Sequence, residues 1–241
     1  MHWADVAAKA LSHKGGKHIV STGITPSGEF HIGHLREILT GDMIARAARN
    51  AGLDVEFVFV VDTADPLRKV YDFLGEEYEQ FIGHQLGSIP APNKDGNPNW
   101  HRFENEGWTY GDHFLKPFLQ ALEQIGVRPR IIDNLQSYQE GRFDNLSKTA
   151  CDRADDIREA IESISGRELA EDWFPWSPLD SKGSLDGVNI TGYEYPLVYW
   201  KDAHGIEGTS DLRKGEGKLP WRIDWPAKWG WICLLYTSDA A

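Results

Sequence analysis

The pair of side chains in this sequence best suited to chemistry is His31 and His34, three residues apart and flanked by Gly28 and Gly33. They close the stretch Ser21–Arg36, which reads S-T-G-I-T-P-S-G-E-F-H-I-G-H-L-R. Two imidazoles can donate hydrogen bonds to phosphate oxygens that gain charge as pyrophosphate leaves. That is electrostatic stabilisation of a transition state, and it needs no nucleophile from the protein. A β-rich run, His18-Ile19-Val20, precedes the stretch, and a helical pattern to about Asn50 follows it. The order is therefore strand, tight loop, helix. Such a helix presents its free N–H groups and positive dipole end to the loop, where a polyphosphate would sit. A spacing of three puts both imidazoles on one face of the first turn. Gly23 and Gly28 allow positive φ and a close backbone approach, and Pro26 stiffens the turn between them. The competing reading is two surface histidines that merely cap a helix.

The elements that must position this pair follow from periodicity. Trp3, Val6, Ala7, Ala10 and Leu11 have helical spacing, as do Ile32, Leu35, Leu39 and Met43, with Gly52 placed to end the second helix. The run Val55–Val61 is too apolar for a strand with one wet face, so it reads as a central strand of a parallel sheet, reached by a right-handed β-α-β crossover. Ligands in such sheets bind beyond the carboxyl ends of the strands. The 21–31 loop and the segment Asp62-Thr63-Ala64-Asp65-Pro66-Leu67-Arg68-Lys69 both lie at that edge. Residues 88–99, with three prolines and no periodicity, form a loop. A helix over Phe114–Ile125 ends at Gly126, and Arg130–Asp133 is a short strand. Phe143, Leu146, Ala150, Ala154, Ile157, Ile161 and Ile164 form one continuous helical stripe ending at Ser165-Gly166, with Cys151 a packed thiol inside it. Residues 173–212 alternate strand-like runs with glycine turns, a small antiparallel meander.

Two segments carry a resemblance. P-S-G-E-F-H-I-G-H after a strand resembles the HIGH signature of class I aminoacyl-tRNA synthetases, and T-G-I-T-P-S-G is similar to the class I lysyl-tRNA synthetases. Gly215–Trp229, G-E-G-K-L-P-W-R-I-D-W-P-A-K-W, resembles the G-K-L-P-W-R-V-D-W-P-A-R-W segment of that same family. The resemblance implies an α/β fold: a Rossmann-like parallel sheet of the class I aminoacyl-tRNA synthetase type, with an inserted helical segment at about 75–130 and a small antiparallel β module at about 173–212. It implies a catalytic domain over 1–232 and ATP-dependent activation of lysine for transfer to tRNA(Lys). By that resemblance His31 and His34 are catalytic, and Thr25, Pro26 and Gly33 join them around ATP, with Mg²⁺ accompanying the nucleotide. Gly23, Thr25, Asp62 and Trp225 shape the lysine site, the indole packing on the aliphatic stem. Asp62 reads either as the partner of a cationic substrate group or as a loop cap. Arg68 and Lys69 would meet phosphate or tRNA backbone.

Family members often carry zinc. Here Asp95, His101 and His113 are what remains of one site, and the paired cysteines of the other are absent, so aromatic packing from Trp173, Phe174, Trp176, Tyr193, Tyr195 and Trp200 is expected to hold the module without zinc. Residues 233–241 depart from the family's continuation and read as a non-native tail. No K-M-S-K-S string occurs among the 241 residues, and Leu146-Ser147-Lys148-Thr149 is a poor substitute. The isolated chain is expected to aminoacylate weakly or not at all.

Composition excludes several other classes. Lys+Arg number 25 against Asp+Glu 37, a formal net charge of -12, which argues against a general nucleic-acid coat while leaving room for a local tRNA-gripping patch. Cys151 and Cys233 have no paired spacing, which fits a reducing cytoplasm. No apolar run approaches the length of a membrane span. Two other readings stay open: a small-metabolite nucleotidyltransferase sharing the H-x-G-H turn, and a synthetase-like binding module without catalysis.

Overall fold

The computed structural model describes residues 2–234. The chain divides into two compact units, one of Met1–Gln80 with Leu86–Asn134, the other of Phe81–Gln85 with everything from Leu135 on.

The first unit is built on a three-stranded parallel sheet in the order β1-β2-β3, with β1 at His18–Ile24, β2 at Val55–Val61 and β3 at Arg130–Asp133. β2 is central, as its unbroken apolar run requires, and five of its last five residues are buried. Helix α2 (Ile32–Asn50) makes the crossover from β1 to β2 and stops at Gly52, whose φ of 84° suits a left-handed residue after the helix. Its buried face is Ile38, Gly41, Asp42, Ala45 and Ala48. The expected stripe of larger residues holds at Leu35 and Leu39, which pack against the core, and is corrected at its ends, because Ile32 is 79% exposed and Met43 is exposed too. The reason is visible at Gly41. A Cβ there would lie 2.6 Å from Thr22 Cγ2 and 2.7 Å from the Phe57 ring, so the helix rests directly on the sheet where it lacks a side chain.

Helix α1 (Trp3–Leu11) follows the same rule. It packs on α2 through Ala4 and Ala8, while Trp3 and Val6 face outward. Small residues won the core position because they let two helices approach closely. After a short α3 (Trp100–Glu106), helix α4 runs from Tyr110 to Gln124, one turn earlier than the apolar pattern suggests. Thr109 caps it by accepting from the Asp112 N–H, and Phe114, Leu115 and Leu122 face inward.

Helix α5 (Asn134–Gln139) starts on the last residue of the first unit, and the second unit then has two helices in place of one continuous stripe: α6 (Asp144–Asp152) and α7 (Ala154–Ser165). The break falls at Arg153, with φ -116° and ψ 34°. Asp155 and Asp156 then occupy the first turn of α7, where carboxylates favour a new N-terminus. Ala150 and Cys151 are buried in α6, whereas α7 buries no residue fully. Burial pushes the Cys151 thiol up to about 12, which keeps it protonated and inert.

A two-stranded pair, β4 (Ser177–Pro178) with β8 (Gly217–Lys218), accompanies an antiparallel meander of β5 (Val188–Glu194), β6 (Leu197–Asp202) and β7 (Glu207–Asp211). Trp176 and Trp200 are its buried aromatics, and Trp176 Nε1 donates to Ser210 Oγ at 2.9 Å. Gly208 leaves room for the Trp200 ring, which a Cβ would meet at 2.3 Å. Phe174 and Tyr193 also touch, at 5.7 Å between ring centroids, but Tyr195 is exposed and instead donates to Asp144 from its hydroxyl. Helix α8 (Trp221–Leu234) closes the described chain. From residue 235 the expected tail lies outside the described residues, as does the Cys233 side chain.

Candidate active site

The loops after β1 and β2 meet the start of α4 at the carboxyl ends of the parallel strands in the first unit. β1 and β2 run in register to their last residues, Gly23 opposite Val60 and Ile24 opposite Val61, and the Asp62 N–H continues the ladder to Ile24 O at 2.8 Å. Thr25 Oγ1 then donates to Asp65 Oδ2 at 2.7 Å, and Thr63 Oγ1 to Asp133 Oδ1 at 2.8 Å, so each strand end is tied to the next. Tyr110, at the start of α4, donates its hydroxyl to Ser27 O at 2.8 Å, and burial raises its pKa, keeping it a donor. Gly111 stands where a Cβ would touch Thr63 and Pro26.

Two glycine expectations are corrected. Gly23 is a strand residue of β1, and neither Gly23 nor Gly28 takes positive φ. The bend needs no left-handed residue because buried Pro26 and the Ser27 N–H to Thr25 O bond turn the chain within ordinary φ.

His31 and His34 do cap α2, and the capping determines their chemistry. His31 is the residue before the first turn, and its Nδ1 accepts from the Gly33 N–H at 3.0 Å. His34 Nδ1 accepts from the His31 N–H, also at 3.0 Å, and the two rings stack 3.9 Å apart. A ring nitrogen that accepts carries no proton, so in the neutral form each ring holds its proton on Nε2, as assigned from this bonding pattern. Burial, and then the neighbouring His31, lowers the His34 pKa below its ordinary value. The pair thus presents two Nε2–H donors at a helix N-terminus, a set suited to an anionic oxygen. Gly33 is required locally, since a Cβ there would lie 2.8 Å from His31 Cε1. Phe30 supports the pair from behind, edge-on to His34 at 5.1 Å and stacked on Phe118 at 4.2 Å.

The remaining expected residues divide. Thr25 and Pro26 lie on the same strand-end loop as the histidines, and Asp62 begins the adjoining one, buried to 2% exposure. Arg68 and Lys69 are exposed, Lys69 with its ammonium 5.2 Å from the Tyr71 ring. Among the described residues no group of three or more His, Cys, Asp or Glu is placed to hold a metal, and Asp95, His101 and His113 form no such set. Nor is any helix among them long and apolar enough to cross a membrane.

Trp225 belongs to the second unit, on α8, and is partly buried. Beneath it runs a buried polar string. Leu219 N–H donates to Tyr138 Oη at 3.1 Å, Tyr138 donates to Asp224 Oδ1 at 2.5 Å, and Lys228 Nζ lies 2.6 Å from Asp224 Oδ2. Asp224 is fully buried, Lys228 is 1% exposed, and the Lys228 ammonium sits 4.5 Å from the centre of the Trp225 ring.

Sequence reasoning did not find Asp65, Asp133, Tyr110 or this string. Asp65 stood in a conspicuous D-T-A-D-P run and was recoverable. Tyr110 and Tyr138 gave no signal, because their partners are 83 and 86 residues away.

Residues 1–235 match the family described as tRNA synthetases class I (K). A lysine–tRNA ligase 1 of Methanosarcina acetivorans is 40% identical over 232 residues, covering 95% of this chain and 41% of the relative. Lysine–tRNA ligases of Thermoplasma volcanium and Archaeoglobus fulgidus are each 39% identical over 230 residues, covering 95% of this chain and 43% and 44% of theirs. The chain spans about two-fifths of the length of these relatives.

Proposed function

The chain belongs to the tRNA synthetases class I (K) family, and from that premise we propose that it is the amino-acid-activating part of a lysine–tRNA ligase. In this reading the lysine carboxylate attacks the α-phosphorus of ATP, the bond from that phosphorus to the α,β-bridging oxygen breaks, and lysyl-adenylate and pyrophosphate form. The lysyl group then passes to the 3′ end of tRNA(Lys). His31 and His34 offer their Nε2–H groups to phosphate oxygens as charge builds there. Thr25, Pro26 and Gly33 border the nucleotide, and Mg²⁺ enters with ATP, held largely by its phosphates. Gly23, Thr25 and Asp62 are assigned to lysine, and Trp225 to its aliphatic stem. The setting is the cytoplasm.

The observation that carries this reading is the bonding of the two Nδ1 atoms to main-chain N–H groups, which leaves Nε2 as the donor of each ring at the mouth of α2. The nucleotidyltransferase and non-catalytic readings are not favoured, since the relatives compared are named lysine–tRNA ligases.

A thermal-shift screen of this chain with ATP and each amino acid tests the proposal, because a ligand that binds only the folded state raises the midpoint. Stabilisation by lysine with ATP, and by no other amino acid, is expected; an equal response to all amino acids would sink it. In a protein of the relatives' full length, His31→Ala and His34→Ala should each slow lysine-dependent pyrophosphate exchange by on the order of 10²–10³-fold. Unchanged exchange would remove the catalytic assignment.

A further inference from the structure

We propose that Lys228 is a positioning residue for Trp225, and that it reserves the opposite face of that indole for an apolar stem rather than a second cation. The inference rests on the assignment of Trp225 to the amino-acid substrate. Lysine at 1% exposure is rare, because burying an ammonium costs several kcal/mol unless it is paired. Here the cost is met by Asp224, itself fixed by Tyr138, whose hydroxyl also accepts from the Leu219 main chain. The string therefore reaches from α5 through the start of α8 and ends with a positive charge under one indole face. Apolar residues of the same volume would fill this space at least as stably. A charge kept there instead fixes the ring in one attitude, and Lys228 and Asp224 lie three residues after and one before Trp225 on the same helix.

The electrostatics also constrain the ligand. An indole face attracts a cation through its quadrupole. With Lys228 already 4.5 Å from the ring centre, a second ammonium on the far face would feel the resident charge across the ring. Methylene groups feel no such penalty. Trp225 thus reads the stem of the substrate and leaves its terminal charge to other groups.

The test is ¹⁹F NMR of the 241-residue chain labelled with 5-fluorotryptophan, the Trp225 signal being assigned by its loss in Trp225→Phe. Lys228→Met should shift and broaden the Trp225 resonance while the Trp221 and Trp229 resonances, on the same helix, stay in place. Lys228→Arg should restore it. Should Lys228→Met fail to fold, Asp224→Asn keeps a hydrogen-bond partner for Tyr138, removes the charge that holds Lys228, and should move the same resonance. A folded variant with an unmoved Trp225 signal, or a shift shared equally by all three tryptophans, would overturn the positioning role. Calorimetric titration with lysine and with norleucine, which keeps the stem and lacks the charge, forms the second arm. Lys228→Met should weaken both by the same factor, about tenfold, whereas weakening of lysine alone would overturn the stem assignment. If the wild-type chain binds neither, the assignment of Trp225 to lysine fails and the stem reading with it. The fluorine spectrum still decides whether Lys228 positions the ring.

Discussion

The histidine pair on α2 and the tryptophan on α8 are held in opposite ways. His31 and His34 sit at the surface end of a helix and are oriented by amide groups two and three residues away. Trp225 rests on a fully buried string whose members come from residues 138, 219, 224 and 228. Local capping fixes a donor cheaply and leaves it wet. A buried ion pair fixes a ring at the cost of desolvating two charges, and makes that attitude depend on distant parts of the chain. In the proposed function, an imidazole that meets a phosphate would gain from the first arrangement, and a wall that presents one face from the second.

The contrast can be broken at several points. The largest effect is expected for Asp224→Ala, which leaves the Lys228 ammonium buried without its carboxylate and should cost about 3–5 kcal/mol in urea unfolding. A loss comparable to that of a surface ion pair would show the string to be far wetter than described. Next comes Gly41→Val in the first unit, where the added methyls meet Thr22 and Phe57 and should cost up to about 3 kcal/mol. A neutral result would mean α2 can lift off the sheet freely. Thr25→Val removes the bond to Asp65 at the strand ends and should cost about 1 kcal/mol, read by the same method.

The smallest effect is on the pH profile. Burial lowers the pKa of both His34 and His113, in the second case with Arg102 adding to it and Glu29 opposing. The unfolded chain then binds more protons than the folded one below the ordinary histidine value of about 6.5. Stability from these two residues is fully present above that pH and is lost as pH falls from there through their lowered folded-state values. Urea midpoints from pH 8 to pH 5 should decline, and in His34→Gln the decline should be shallower. An identical slope would show that His34 contributes nothing to it.

What was legible in the sequence follows the same divide. β1, α2, β2, β3 and the meander strands show in local pattern, and the H-x-G-H turn announces itself within a few residues. Which face of a helix is buried was less legible. Patterns weigh large apolar residues, whereas α1 and α2 meet the core through Ala4, Ala8, Gly41 and Ala45, where closeness of approach mattered more than area. The split at Arg153 was invisible for a related reason, since hydrophobic spacing runs on across a break that acidic residues create. Ties such as Tyr110 to Ser27 and Tyr138 to Asp224 lay beyond any window, because a tyrosine hydroxyl carries no mark of its partner.

The capping bonds at the mouth of α2 have a mechanical corollary. Turning either imidazole over would exchange the acceptor that holds an amide for a carbon, so each such rotation breaks one capping bond in the first turn of the helix. Side-chain reorientation and fraying of that turn are thereby coupled, each costing or sparing the worth of the cap, about 0.5–2 kcal/mol. The two donors are thus biased toward one orientation by the backbone itself, before any ligand arrives.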